Sequence, residues 1–163
     1  MKPIRIARIA TMCMLAALFA SCMSSRHDPK WVEATVEPPN ETVLWQVSVR
    51  SLQKTGFPIG SGLERDKLRG TSGWDTSLAP FKGEGFRERC HFQYSSAGGK
   101  RYLLKVRVEH ETNEDIMHPL DISYAEWEEA PDNEARARML VGQVKAFLGP
   151  DFKTAADQGE PQQ

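Results

Sequence analysis

Arg87, Arg89 and His91, followed by Arg101, Lys105 and Arg107, form the chain's densest concentration of side-chain chemistry. These residues recur at odd positions, and in an extended chain alternate side chains point to one side. Only Glu109 interrupts the row with an acid. Like charges side by side on a sheet are mildly destabilising, so such a row binds an anion or takes carboxylates from elsewhere in the fold. The first reading makes it an anion- or partner-binding surface. Its ligand would be a phosphorylated glycolipid, a polyanionic polymer or an acidic protein. The second makes it a solvated face with cross-strand pairs, each worth only about 0–1 kcal/mol.

Other chemistry is thinner. The histidines are His27, His91, His110 and His118. His110-Glu111 has no second histidine four residues on, so the helical zinc pair is not formed, and no metal site is expected. His91 or His110, joined to a carboxylate near the glycine-rich stretch 60–85, is the constellation a small hydrolase or ligand-binding enzyme would use. No Gly-x-Ser-x-Gly elbow accompanies it. The glycines match neither a Walker loop nor a dinucleotide fingerprint, so no cofactor is expected. Cys13 and Cys22 lie near the amino terminus, and Cys90 stands alone as a buried strand residue. Acidic and basic residues number 22 and 21, and three of the basic ones lie within the first eight residues. The remainder is mildly acidic, which excludes the basic excess of a nucleic-acid binder.

Several elements must position these groups. Asn40 caps a helix over 41–55, with Trp45, Val49 and Leu52 on its apolar stripe beside Leu44 and Val47, and Gly56 ends it. A short strand is predicted at 68–74 and a loop at 75–85 anchored by Pro80-Phe81. Strands at 86–94 and 101–110 flank a turn over 95–100. Phe86, Cys90, Phe92 and Tyr94 share a face with Tyr102, Leu104, Val106 and Val108, with Glu88 as the exception. Residues 121–129 read as a helical turn presenting Trp127 to the core. A last helix spans 132–148, with Leu140, Val144, Phe147 and Leu148 inward and Gly149-Pro150 after it. The economical solution is an α+β domain, an antiparallel sheet of three to four strands with two amphipathic helices on one face.

The amino terminus has its own pattern. Lys2, Arg5 and Arg8 precede an apolar run from Ile9 to Ala20, and Leu18-Phe19-Ala20-Ser21-Cys22 closes it. The run is shorter than the roughly 20 residues a membrane span needs. This segment resembles the lipobox signal of bacterial lipoproteins. The resemblance implies cleavage before Cys22, lipidation of Cys22 on sulfur and amino terminus, and membrane attachment through those acyl chains. Met23 in place of Asp implies the outer membrane, facing the periplasm. The divisions that follow are a signal peptide at 1–21, a tether at 22–40, one domain at 41–152 and a frayed tail at 153–163. In element order the domain is similar to small helix-on-sheet domains of outer-membrane assembly lipoproteins. The expectation is a lipid-anchored envelope protein that binds or assembles within an envelope complex, with catalysis as the alternative.

Overall fold

The computed structural model describes residues 27–79 and 84–149. The signal, Cys22, Pro80-Phe81 and the 153–163 tail lie outside them. Among the described residues no helix is long and apolar enough to cross a membrane.

The fold is α+β, and the described residues form an antiparallel sheet with two helices packed on one of its faces. A long hairpin forms the centre. Strand β5 (Glu84–Ser96) pairs with β6 (Tyr102–Asn113) from Phe86↔Thr112 to Ser96↔Tyr102. Gly98 (φ 90°) and Gly99 (φ 63°) take left-handed backbone in the turn, where a side chain would be strained. Strands β1 (Val32–Val36) and β7 (Trp127–Ala130) pair with the beginning and end of β6. Strand β4 (Asp75–Ala79) pairs with the beginning of β5. Strand β3 (Arg69–Thr71) pairs with β5 near its end, and β2 (Gly62–Glu64) pairs with β3.

Among the described residues the sheet therefore has seven strands, not three to four. The additional strands are short and take their conformation from pairing to the central hairpin, so their own sequences signal it weakly. Strand β1 lies inside the segment assigned to the tether: Ala34 and Val36 are buried while Glu33 and Thr35 face solvent. Strand β4 occupies the segment assigned to a loop. Strand β7 replaces the expected helical turn, leaving one 3₁₀ turn at Ile122–Tyr124.

Helix α1 (Glu41–Lys54) is capped by Asn40, whose side chain accepts from Val43 N at 2.9 Å. It ends in a Schellman arrangement: Phe57 N donates to Leu52 O, Gly56 N donates to Gln53 O, and Gly56 has φ 85°. Its buried stripe is Leu44, Val47, Ser48, Ser51 and Leu52. Trp45 and Val49 flank this stripe, half-buried, instead of leading it. Helix α2 (Glu134–Phe147) starts two residues later than expected, because Asn133 supplies the cap, accepting from Arg136 N at 3.0 Å. Ala137, Leu140, Val141 and Val144 form its buried face. Both helices cover Cys90, Phe92, Tyr94, Leu104, Val106 and Val108, the inward positions that alternation predicts.

Gly70 permits a close crossing. A Cβ there would lie 2.6 Å from both Leu63 and Phe92. Glu88 is the polar member of the inward face, and a network holds it. His110 Nδ1 lies 2.9 Å from its carboxylate, Asn133 Nδ2 donates at 2.8 Å and Arg136 Nη1 at 2.5 Å. Arg136 also donates to Asp75 at 2.5 Å and to Thr55 O at 3.0 Å, and lies 4.0 Å from the Phe57 ring centroid. One guanidinium thus joins the end of α1, the start of α2, β4 and β5. Burial pushes the Glu88 carboxyl up; the hydrogen bonds from Asn133 and Arg136, with the Arg136 charge, outweigh it and leave it below its usual range.

Candidate functional site

The outward face of the sheet carries the residues whose spacing pointed to chemistry. The register sets His91 opposite Arg107, Arg89 opposite Glu109, Arg87 opposite Glu111 and Gln93 opposite Lys105. Arg101 lies in the turn before β6 and is exposed, apart from this ladder. The face is not the cation surplus that the sequence indicated. Arg87 pairs with Glu111 at 2.5 Å, Arg89 pairs with Glu109, Lys105 pairs with Glu33 at 2.6 Å, and Arg107 pairs with Asp132 at 2.8 Å. Glu111 escaped notice because strand β6 runs three residues beyond its predicted end. Glu33 arrives on β1, and Asp132 precedes α2. These partners are local in space and distant in sequence.

Three of the four carboxylates are sheltered, while the Lys105–Glu33 pair is open to solvent. The Glu109 side chain is 11% exposed and that of Asp132 only 3%. The hydrogen bond from His91, and then the Arg89 guanidinium, holds the Glu109 carboxyl at about 2 against the upward push of burial. The Asp132 hydrogen bond raises the Arg107 pKa. A double change of Arg89 and Arg107 to Ser therefore strips partners from two sheltered carboxylates and is not the neutral surface change that exposed side chains would allow.

Aromatic rings frame this ladder. The Arg87 guanidinium lies 4.3 Å from the Trp74 ring centroid and 4.7 Å from that of Trp127, and Arg89 lies 4.4 Å from Trp74. Arg87 is thus held by two rings and a carboxylate at once. Trp127 was expected in the core, but β7 pairs Trp127 with Asn113 and places it beside Arg87 on the outward face. Trp127-Glu128-Glu129-Ala130 shows no apolar–polar alternation, so only the pairing with β6 reveals this strand.

A groove of about 310 Å³ opens at the other end of the ladder, lined by Trp31, Glu64, Arg69, Thr71, His91 and Gln93, among others. His91 lies between two partners there: Nδ1 is 3.1 Å from Thr71 Oγ1 and Nε2 is 3.0 Å from Glu109 Oε2. When Nε2–H donates to the carboxylate, Nδ1 accepts from the threonine hydroxyl. A hydroxyl, an imidazole and a carboxylate in line can relay a proton.

The other histidines lie elsewhere. His110 is engaged with Glu88 inside the fold and packs on Phe86 at 5.4 Å. His118 lies 3.4 Å from Asp115 and stacks on Tyr124 at 4.5 Å. Among the described residues no three His, Cys, Asp or Glu side chains are grouped to hold a metal ion. Cys90 is fully buried, and burial pushes its thiol up to about 12, far from a reactive thiolate.

No family model matches the chain, and no curated protein matches it. Among solved structures, it is similar to the adenylate sensor from AMP-activated protein kinase, crystallised with 5-aminoimidazole-4-carboxamide 1-beta-D-ribofuranotide. That similarity has 13% identity and a TM-score of 0.39, and covers 68% of this chain and 93% of the other. At this TM-score the likeness does not establish a shared fold.

Proposed function

We propose that this chain is a lipid-anchored protein of the cell envelope that acts by binding, with the outward sheet face as its binding surface. The observation that carries the binding part is the Trp74–Arg87–Trp127 stack on an open sheet face. Paired carboxylates hold its guanidinium groups in position, and flat aromatic rings lie beside them. A surface with its side chains already ordered loses little entropy when a partner arrives. The lipobox-like leader supports the anchor. At most residues 23–31 separate Cys22 from β1, a reach of no more than about 30 Å fully extended. That keeps the sheet near its membrane. The pairing favours a protein partner over a polyanion, because an anionic ligand would have to displace Glu109, Glu111 and Asp132 from the arginines.

The test has two arms. Globomycin, which blocks lipoprotein signal processing, should make a precursor accumulate, and Cys22→Ala should abolish acylation. Unaltered maturation of the Cys22→Ala variant at the same site removes the anchor. Trp127→Ala and Arg87→Ala should each reduce co-purification of envelope partners from detergent extracts, and unchanged co-purification with intact folding removes the surface.

The Thr71–His91–Glu109 relay beside the groove favours a second reading, a small envelope hydrolase. Thr71 would be the nucleophile, His91 the base and Glu109 its orienting group. A fluorophosphonate reagent should then label the chain, and Thr71→Ala should abolish the label. No labelling of the folded chain ends this reading.

A further inference from the structure

The segment between β6 and β7 is a built, outward-facing apolar finger. Ile116 is 89% exposed and Met117 81%, and Leu120, Ile122 and Tyr124 are exposed beside them. Its neck is closed by Asn113, itself only 6% exposed. The Asn113 Oδ1 accepts from Asp115 N and from Glu126 N, both at 3.0 Å, so one buried amide ties the outgoing strand to the returning one. Glu114 N donates to Glu126 O at 2.8 Å across the same neck. Asp115 Oδ1 then accepts from Met117 N at 2.7 Å and from His118 N at 3.0 Å, which shapes the tip. A groove of about 480 Å³ runs between Leu78 and Leu120 and Ile122 on the finger's flank. Contiguous exposed apolar side chains on a small domain mark an interaction site.

Charge decides what fits. No lysine or arginine occurs between residues 108 and 135, against ten acidic residues. Glu109, Glu111, Asp132 and Glu134 are neutralised by arginines. Glu114, Asp121, Glu126, Glu128 and Glu129 are exposed and form no ion pair with a described residue. The apolar tip therefore rises from an acidic rim. An anionic bilayer surface would be repelled by that rim, so it is the wrong occupant for this finger. We infer that residues 114–129 dock into a partner protein that offers an apolar cleft edged with lysine or arginine. This surface meets the arginine ladder only at Trp127, its apolar tip at Ile116 and Met117 lies outside the ladder, and the inference does not depend on the anchor.

Synthetic peptides of defined charge test the finger directly. One is an amphipathic helix with leucines on one face and lysines along its borders, and the control replaces the lysines with glutamates. The lysine peptide should bind the purified chain at low salt, with affinity falling as salt rises. Ile116→Ser with Met117→Ser should weaken binding by about tenfold or more, as loss of central apolar anchors does. Glu126→Lys with Glu128→Lys should weaken it comparably and flatten the salt dependence. Equal binding of the glutamate peptide, or binding indifferent to both variants, overturns the inference. In the envelope, a photo-crosslinking residue at position 117 should yield a protein adduct that the Glu126→Lys, Glu128→Lys variant loses. Crosslinking to lipid or to a second copy of the chain overturns it.

Discussion

Removing Arg136 should loosen the fold where four of its elements meet. In Arg136→Met the chain keeps most of the apolar stem and loses the guanidinium. Glu88 then sits with its side chain 3% exposed and no cation against it. Breaking a buried pair by removing one partner costs about 3–5 kcal/mol. Loss of the bond to the Thr55 carbonyl adds about 0.5–1.5 kcal/mol. The Asp75 pair is more open and adds about 0–1 kcal/mol. His110 and Asn133 still donate to Glu88, which keeps the first contribution near the lower end of its range. The expected loss at pH 7 is about 4 kcal/mol, a large fraction of the roughly 5–15 kcal/mol a domain has.

The pH dependence separates this mechanism from a simple packing defect. In the native chain Glu88 titrates below its usual range, so it contributes stability that is present above about pH 4.5 and lost as pH falls. In Arg136→Met the push of burial is opposed only by the hydrogen bonds from Asn133 and His110, so the folded pKa of the carboxyl rises from its native position. The cost of losing the guanidinium charge is then absent at low pH, where the carboxyl is protonated in both chains, and grows as pH rises through the two folded pKa values. The difference between native chain and variant should shrink sharply between pH 7 and pH 4. Adding Glu88→Gln should remove most of that pH dependence. Urea unfolding followed by tryptophan fluorescence measures both quantities. A loss under about 1 kcal/mol at pH 7 would refute the clamp, and a loss that does not change with pH would show that the charge on Glu88 is not its cause.

Glu109 titrates at about 2 against an ordinary 4.5, so it should contribute about 2–3 kcal/mol above pH 4.5 that fades as pH falls toward 2, and Glu109→Gln should flatten that part of the acid unfolding curve. Ser51 is fully buried and its hydroxyl has no hydrogen-bond partner among the described residues; Ser51→Ala should raise the urea midpoint, by about 0.5–1 kcal/mol in stability, since it removes an unpaired polar group from a helix. Gly70→Ala should cost about 1–3 kcal/mol by forcing Leu63 and the Phe92 ring aside, and a stability equal to that of the native chain would show that β3 can shift freely. Cys90 should resist iodoacetamide at pH 8 in the folded chain and react fully in urea; rapid labelling of folded protein would place the thiol outside the core.

Much of the helical structure was legible because capping is local chemistry. Asn40 and Gly56 lie within a few residues of the ends they define, and the cap Asn133 lies one residue inside the span expected for α2. The two faces of the central hairpin were legible for the same kind of reason, since period-two alternation belongs to each strand alone. Strands β1, β2, β4 and β7 were not legible in this way. Each is three to five residues long, and its conformation comes from pairing with β5, β6 or β3 more than from its own composition.

The candidate site divides along the same line. Composition alone identified the arginine row and the solitary cysteine, and alternation alone put Arg87, Arg89, His91, Lys105 and Arg107 on the face away from Phe92 and Val106. Only the tertiary structure decided what those cations do. It brought Glu33, Glu111 and Asp132 within ion-pair distance and set Trp74 and Trp127 against Arg87. It also joined Thr71 to Glu109 through His91. Electrostatic partners act over a few ångströms of space regardless of their separation along the chain, so the sign and number of neighbours around a charge follow from the fold and not from its place in the sequence.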